Sequence, residues 1–137
     1  MTRTLGLYYI LALLSSIMII FVNVNDTAPV PANTKFTGDA TFFDTGLGAC
    51  GRVSNNDELI FALPSVMFDP SPGGNPNNNP NCGRLATVTR GANSVTVMCV
   101  DRCVGCKSGD IDLSPAAFNQ VANPDEGRVL VSWSFIN

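Results

Sequence analysis

Two carboxylates, Asp101 and Asp112, lie 11 residues apart in a chain that contains no histidine. Histidine's absence excludes Ser-His-Asp and Cys-His catalysis and imidazole metal sites. Any general acid or base is then Asp, Glu, Lys, Tyr or Cys. Asp112 precedes Leu113-Ser114-Pro115. Serine followed by proline is an N-cap with proline at N1, so Pro115–Val121 is expected to be a short helix. Asp112 then falls at a strand-to-helix junction, where backbone N–H groups and the helix dipole favour a carboxylate. Its plainer role would be to cap that helix or brace the loop. Asp101 ends the apolar run Ser94–Asp101, and a carboxylate there is costly unless it is exposed or bonded. Its plainer role is a rim residue holding the loop Arg102–Asp110. Two carboxylates facing each other across a sugar can cut a glycosidic bond, one as acid and one as base or nucleophile. Asp39 and Asp44 are the other candidates for an opposing partner. Thr41 offers a hydroxyl beside Phe42-Phe43. On a strand these two rings must point opposite ways, so one is expected in the core and one on the surface.

Five cysteines complete the reactive set: Cys50, Cys82, Cys99, Cys103 and Cys106. An odd count leaves at least one unpaired or joined to another chain. Cys99, Cys103 and Cys106 have a C-x3-C-x2-C spacing that zinc can use. No histidine is present to complete a common site, and bridges are the expectation in a secreted chain. Neither a metal nor a cofactor is expected.

The elements that must position these residues are strands and turns. The chain has 137 residues, enough for one core, with 12 Gly and 9 Pro, which suits a turn-rich fold better than a helical bundle. Lys35–Phe43 begins the domain with mixed β character. Leu59–Leu63 is a short apolar strand, and Ser65–Phe68 is one helical turn. Pro70–Asn81 (PSPGGNPNNNPN) reads as a long loop without a core-forming residue. Arg84–Arg90 and Ser94–Asp101 read as a strand pair around Gly91-Ala92-Asn93. In the second of these, Val95, Val97 and Cys99 share one face, and Thr96, Met98 and Val100 the other. A strand apolar on both faces is expected to be central. Asn123–Gly127 turns the chain into a last strand, Arg128–Ile136, which carries the single tryptophan, Trp133, as a core residue.

Ahead of this domain, Arg3 is followed by 18 uncharged residues, Leu5–Val22, and then by small residues and prolines up to Ala32. The order is that of a secretory signal, cleaved after Ala28 or Ala32, although the apolar run is also just long enough for a spanning helix. Residues 1–32 are therefore assigned to the signal and 33–137 to one domain, secreted and extracellular. The net charge of −3 and pI near 4.6 give no nucleic-acid footprint.

Three blocks carry a family resemblance. They are Gly38-Asp39-Ala40-Thr41-Phe42-Phe43 with Gly48-Ala49-Cys50-Gly51; Asn77-Asn78-Asn79-Pro80-Asn81-Cys82-Gly83; and Val100-Asp101-Arg102-Cys103-Val104-Gly105-Cys106 leading to Asp110-Ile111-Asp112-Leu113-Ser114-Pro115-Ala116-Ala117-Phe118. In order and spacing they resemble the double-psi β-barrel of expansins, rare lipoprotein A and barwin, and above all the fungal single-domain loosenins. The resemblance covers roughly Thr37 to Phe135. It implies an all-β fold, a single six-stranded double-psi β-barrel with one short helix. It also implies a shallow polar groove that binds cell-wall polysaccharide such as cellulose or chitin and loosens it without hydrolysis. Asp112 and Asp101 match the groove aspartates, Asp112 being the essential one. Thr41 matches the groove threonine, and Phe43 is assigned to sugar stacking. Cys50–Cys82 and Cys103–Cys106 match bridges, which leaves Cys99 a buried free thiol. The implied partner is cell-wall polysaccharide, bound by a monomer that needs no membrane once the signal is removed. Two other classes remain open. One is a lytic transglycosylase or hydrolase with Asp112 as general acid. The other is a barwin-like protease inhibitor or plant-interaction protein acting through an exposed loop.

Overall fold

The computed structural model describes residues 30–69 and 74–136, so the assigned signal segment lies almost wholly outside the described residues. Six strands run as β1 (Lys35–Phe42), β2 (Ile60–Pro64), β3 (Leu85–Arg90), β4 (Asn93–Cys103), β5 (Ile111–Leu113) and β6 (Val129–Phe135). Two short helices follow β2 and β5: α1 (Ser65–Phe68) and α2 (Pro115–Val121). The strands close into one barrel in the order β1-β5-β2-β4-β3-β6. Two of the six pairings are parallel, β1 with β5 and β2 with β4, and the rest are antiparallel. This is the closed six-stranded architecture that the resemblance implies.

Alternation explains the strands. In β6, Val129, Val131, Trp133 and Phe135 are buried while Leu130 is 65% exposed. In β4, Val95, Val97 and Cys99 point inward. Thr87 of β3 pairs with Thr96 of β4, and Arg90 with Asn93, so the expected hairpin closes around Gly91. β2 is buried along its whole length, as a strand covered on both faces must be. The core inside the barrel joins Phe61, Leu63, Ile111, Leu113, Trp133 and Phe135 with Phe118 and Val121 of α2. Trp133 is 2% exposed, and its Nε1–H donates to Gly109 O at 2.8 Å. A buried indole needs such a partner.

Three features add to the sequence reading. β4 continues through Arg102 and Cys103, because parallel pairing with Leu63 and Pro64 of β2 supports both residues. β5 is only three residues long and is held by neighbours on both sides rather than by propensity. The asparagine-rich segment is not free of buried groups, since Asn79 and Asn81 are buried. The side chain of Asn79 donates to Phe68 O, and that of Asn81 to Met67 O at 3.3 Å. These bonds tie the segment to α1.

The cysteines pair as the resemblance implies. Cys50 joins Cys82 and Cys103 joins Cys106, with Cα–Cα distances of 5.7 and 5.4 Å. Cys99 is free and buried, and burial pushes its thiol pKa up to about 12, so it stays protonated.

Candidate functional site

Strand register puts the candidate residues in one row. Thr41 of β1 pairs with Asp112 of β5, Asp112 with Ala62 of β2, and Ala62 with Asp101 of β4. The row Thr41–Asp112–Ala62–Asp101 thus crosses four adjacent strands. It lines a groove of about 430 Å³, walled by Phe42, Phe43, Arg102 and Arg128 and by the Cys103–Cys106 turn. A second concavity, about 460 Å³, lies over β1, β6 and β3. Its side chains include Lys35, Thr87, Thr89, Ser132 and Ser134, with no carboxylate among the described lining residues. Of these two grooves, the first is the one lined by carboxylates.

Asp112 is half-buried, and Thr41 Oγ1 donates to its Oδ1 at 2.7 Å. This differs from the expectation that the helix would hold the carboxylate. α2 uses Ser114 as its N-cap, whose Oγ accepts from Ala117 N at 3.3 Å. Desolvation raises the Asp112 pKa above its ordinary value, opposed by the Thr41 bond and by the charge of Arg128. The site therefore favours the neutral acid more than water does.

Asp101 is held differently. Its Oδ1 accepts from Ala49 N and from Arg102 N, both at 2.8 Å. The first of these bonds needs the loop Gly48–Gly51 to lie directly on β4. A Cβ at Gly48 would come within 2.3 Å of Val100 O, so only glycine permits the approach. A similar approach occurs across the groove wall. A Cβ on Gly38 would sit 2.3 Å from Gly109 O, while Gly109 itself has φ +96°. There the buried Asp110 accepts from Asp39 N through Oδ1 and from Lys107 N through Oδ2, both at 2.9 Å.

The structure brings together Thr41, Phe43, Asp101, Asp112, Cys103 and Cys106 around one groove. Cys50 and Cys82 are not among the lining residues; their bridge anchors the Gly48–Gly51 loop instead. Neither phenylalanine is a core residue, contrary to the alternation argument. Phe42 is 39% exposed and packs at 4.9 Å on Phe118, and Phe43 is half-buried. Phe42 ends β1 at the rim of the barrel, where its ring meets Phe118 of α2 instead of the barrel interior. Of the proposed opposing carboxylates, Asp39 accepts from Arg128 Nη1 at 3.1 Å. Asp44 accepts from Asn56 Nδ2 at 3.3 Å and does not line the groove. Sequence reasoning missed Arg128, Asp110 and the backbone donors to Asp101. No local pattern marks them, because each acts on a residue distant in the chain.

The chain is similar to several known proteins. A family model described as lytic transglycolase matches residues 35–133. A papain inhibitor from Streptomyces mobaraensis is 34% identical over 114 residues, covering 80% of this chain and 78% of the relative. An allergen homologue from Arthroderma benhamiae is 34% identical over 125 residues, and the chain spans only 42% of its length. Among solved structures, a Streptomyces papain inhibitor has a TM-score of 0.72 at 35% identity, covering 79% of this chain and 99% of that one. An expansin from Clavibacter michiganensis in complex with cellohexaose has a TM-score of 0.63 at 24% identity, covering 75% of this chain and half of that one. With the family model spanning most of the chain and the barrel closed as described, the protein belongs to the double-psi β-barrel family of rare lipoprotein A, barwin and the expansins.

Proposed function

We propose that the protein is an extracellular, expansin-like binder of β-linked cell-wall polysaccharide that loosens the polymer without hydrolysing it. One observation carries this reading: Thr41, Asp112, Ala62 and Asp101 form a continuous row along the floor of an open groove. The two carboxylates of this row lie two strands apart, about 9–10 Å at the usual strand spacing, which suits an extended chain carrying hydroxyls at regular intervals. A sugar hydroxyl bonded to a charged acceptor gains roughly 1.5–3 kcal/mol net. Such bonds compete locally with the many weak contacts that hold a polymer in its fibril. The ligand class is taken from the family resemblance and from the expansin that holds cellohexaose.

Hydrolysis is disfavoured by arrangement. Asp101 and Asp112 project from one floor with Ala62 between them, whereas hydrolysis needs carboxylates on opposite sides of the scissile bond. Among the described residues, Asp39 is engaged by Arg128 and Asp44 lies outside the groove. The test is a pull-down on cellulose, xylan, chitin and peptidoglycan with a reducing-sugar assay. Retention by one or more polymers without sugar release is expected, and Asp112→Asn loses retention. Steady release of reducing or anhydro-sugars that stops in Asp112→Asn would replace this reading with lytic chemistry, Asp112 acting as the acid.

A second reading is inhibition of papain-like proteases, favoured by the likeness to the papain inhibitor along 99% of that chain. The Cys103–Cys106 turn, whose Val104 is 73% exposed, is a rigid presented loop of the kind inhibitors use. Inhibition of papain that Val104→Asp abolishes, together with no retention on any glycan, selects this reading.

A further inference from the structure

We propose that the barrel carries a second binding face, on β1, β6 and β3, which takes an acidic glycan by the carboxylate of a uronic acid unit. Strand register builds this face. Lys35 of β1 pairs with Ser134 of β6, and Ser134 with Thr87 of β3. Two residues along each strand, Thr37 pairs with Ser132, and Ser132 with Thr89. The residues between them, Trp133 and Val88, are buried in the core, so the two rows share the outer face. Neighbours within a row are about 4.8 Å apart, and the rows are about 6.6–6.8 Å apart along the strands. The concavity of about 460 Å³ sits over these rows and is also lined by Asn33 and Gly91. Its size is that of an ordinary small-ligand site.

The chemistry of the lining selects the ligand. Every polar side chain on it can donate a hydrogen bond, and none is an acceptor alone. Lys35 is exposed and forms no ion pair among the described residues. Hydroxyls elsewhere in the barrel are engaged, Thr41 with Asp112, Thr45 with Ser54 O and Ser114 with Glu58 O. Those of Thr87, Thr89, Ser132 and Ser134 make no hydrogen bond among the described residues, and Thr89 is exposed. A carboxylate answers the Lys35 ammonium with a charge-assisted bond, and the other oxygens of the same sugar answer the hydroxyl rows. A neutral sugar held by stacking needs an open ring face. Trp133 offers none, being 2% exposed with its Nε1–H given to Gly109 O. The net charge of −3 opposes any general attraction of a polyanion, so binding depends on this local cation.

The position of the face gives it a consequence. In the closed order β1-β5-β2-β4-β3-β6, the groove floor lies on β5 and β2, and the second face on β6 and β3. The two sites therefore look out from opposite sides of the barrel. Their chemistry is complementary: the groove presents carboxylate acceptors, and the second face presents donors and a cation. One molecule can then hold a neutral chain on one side and an acidic chain on the other. This bridging rests on the proposed function, while the second face does not.

The experiment titrates the full chain, labelled with nitrogen-15, with hexagalacturonate and follows amide shifts by NMR. Shifts are expected at Lys35 and along β3 and β6, and not at Thr41, Asp101 or Asp112. Salt weakens the binding, because the ion pair is exposed. Lys35→Glu lowers the affinity about tenfold or more, the loss of one charge-assisted bond. Thr87→Val/Thr89→Val keeps the branched shape that a strand favours, so the barrel folds, and lowers the affinity about tenfold. The spectrum of each variant reports its folding. Shifts centred on the groove, an absence of shifts, or an unchanged affinity in Lys35→Glu overturns the proposal. So does a fully methyl-esterified hexamer that binds as well as the acid. Wild type that shows the expected shifts but is not retained on neutral polymers upholds the second face and overturns the bridging.

Discussion

Asp112 combines two opposed influences: burial favours its neutral form, while the Thr41 hydroxyl and Arg128 favour the charged one. Because burial dominates, the folded protein holds this proton more tightly than the unfolded chain does. The carboxyl's contribution is then most favourable below its unfolded pKa and is lost as pH rises through its folded value. Asp112→Asn is therefore expected to raise the melting temperature relative to wild type at pH 7 and to change it little at pH 3. An equal difference at both pH values would show that the residue's charge is not what burial opposes. Thr41→Val removes the donor, so the Asp112 pKa moves further up, a shift that NMR titration of the carboxyl reads directly. The same change weakens glycan retention less than Asp112→Asn does, with Asp101→Asn between the two. Thr41, Asp101 and Asp112, singled out by the sequence and its family resemblance, share one groove, but Asp112 is held by Thr41 rather than by the helix. The helix N-terminus is a local pattern and so can be read, whereas the Thr41 contact spans 71 residues.

At the level of elements, alternation made β6 and the β3–β4 hairpin legible, because each has enough residues for its buried face to show. β5 was not, since three residues carry no period and only the flanking strands make them extended. The glycine-bearing loops were visible as motifs, but their purpose was not. Gly48 lets the Gly48–Gly51 loop lie close enough for Ala49 N–H to reach Asp101. Gly48→Ala is expected to cost about 1–3 kcal/mol through overpacking and to lower glycan retention along with stability, as the Asp101 carboxylate loses a donor. Urea unfolding and the pull-down measure the two effects, and unchanged retention would mean that Asp101 is positioned by other means.

Across the whole molecule, the two bridges have unequal duties. Cys50–Cys82 spans a sequence separation of 32. By chain entropy, its removal as Cys50→Ala/Cys82→Ala is expected to cost about 3–4 kcal/mol. Cys103–Cys106 spans a separation of 3, and by the same reasoning its loss costs about 1–2 kcal/mol. Guanidinium midpoints of the two double variants test the ranking, and a larger loss from Cys103→Ser/Cys106→Ser would reverse it. The pairing was legible only through family resemblance, because cysteine spacing alone permits several connectivities. Among the described residues no helix is long and apolar enough to cross a membrane.

Parallel pairing of β1 with β5 joins Thr41 to Asp112 across nearly the whole domain. A chain that must close contacts so remote before they reward it folds slowly, in about milliseconds to seconds for barrels dominated by non-local pairing. The groove consequently has no precursor. A half-made chain carries Thr41, Phe42, Phe43 and Ala62 but lacks both groove aspartates, and no fragment ending before β5 contains Asp112. The groove is then expected to form only once β5 has paired with β1, so its appearance during refolding marks a late event rather than an early one.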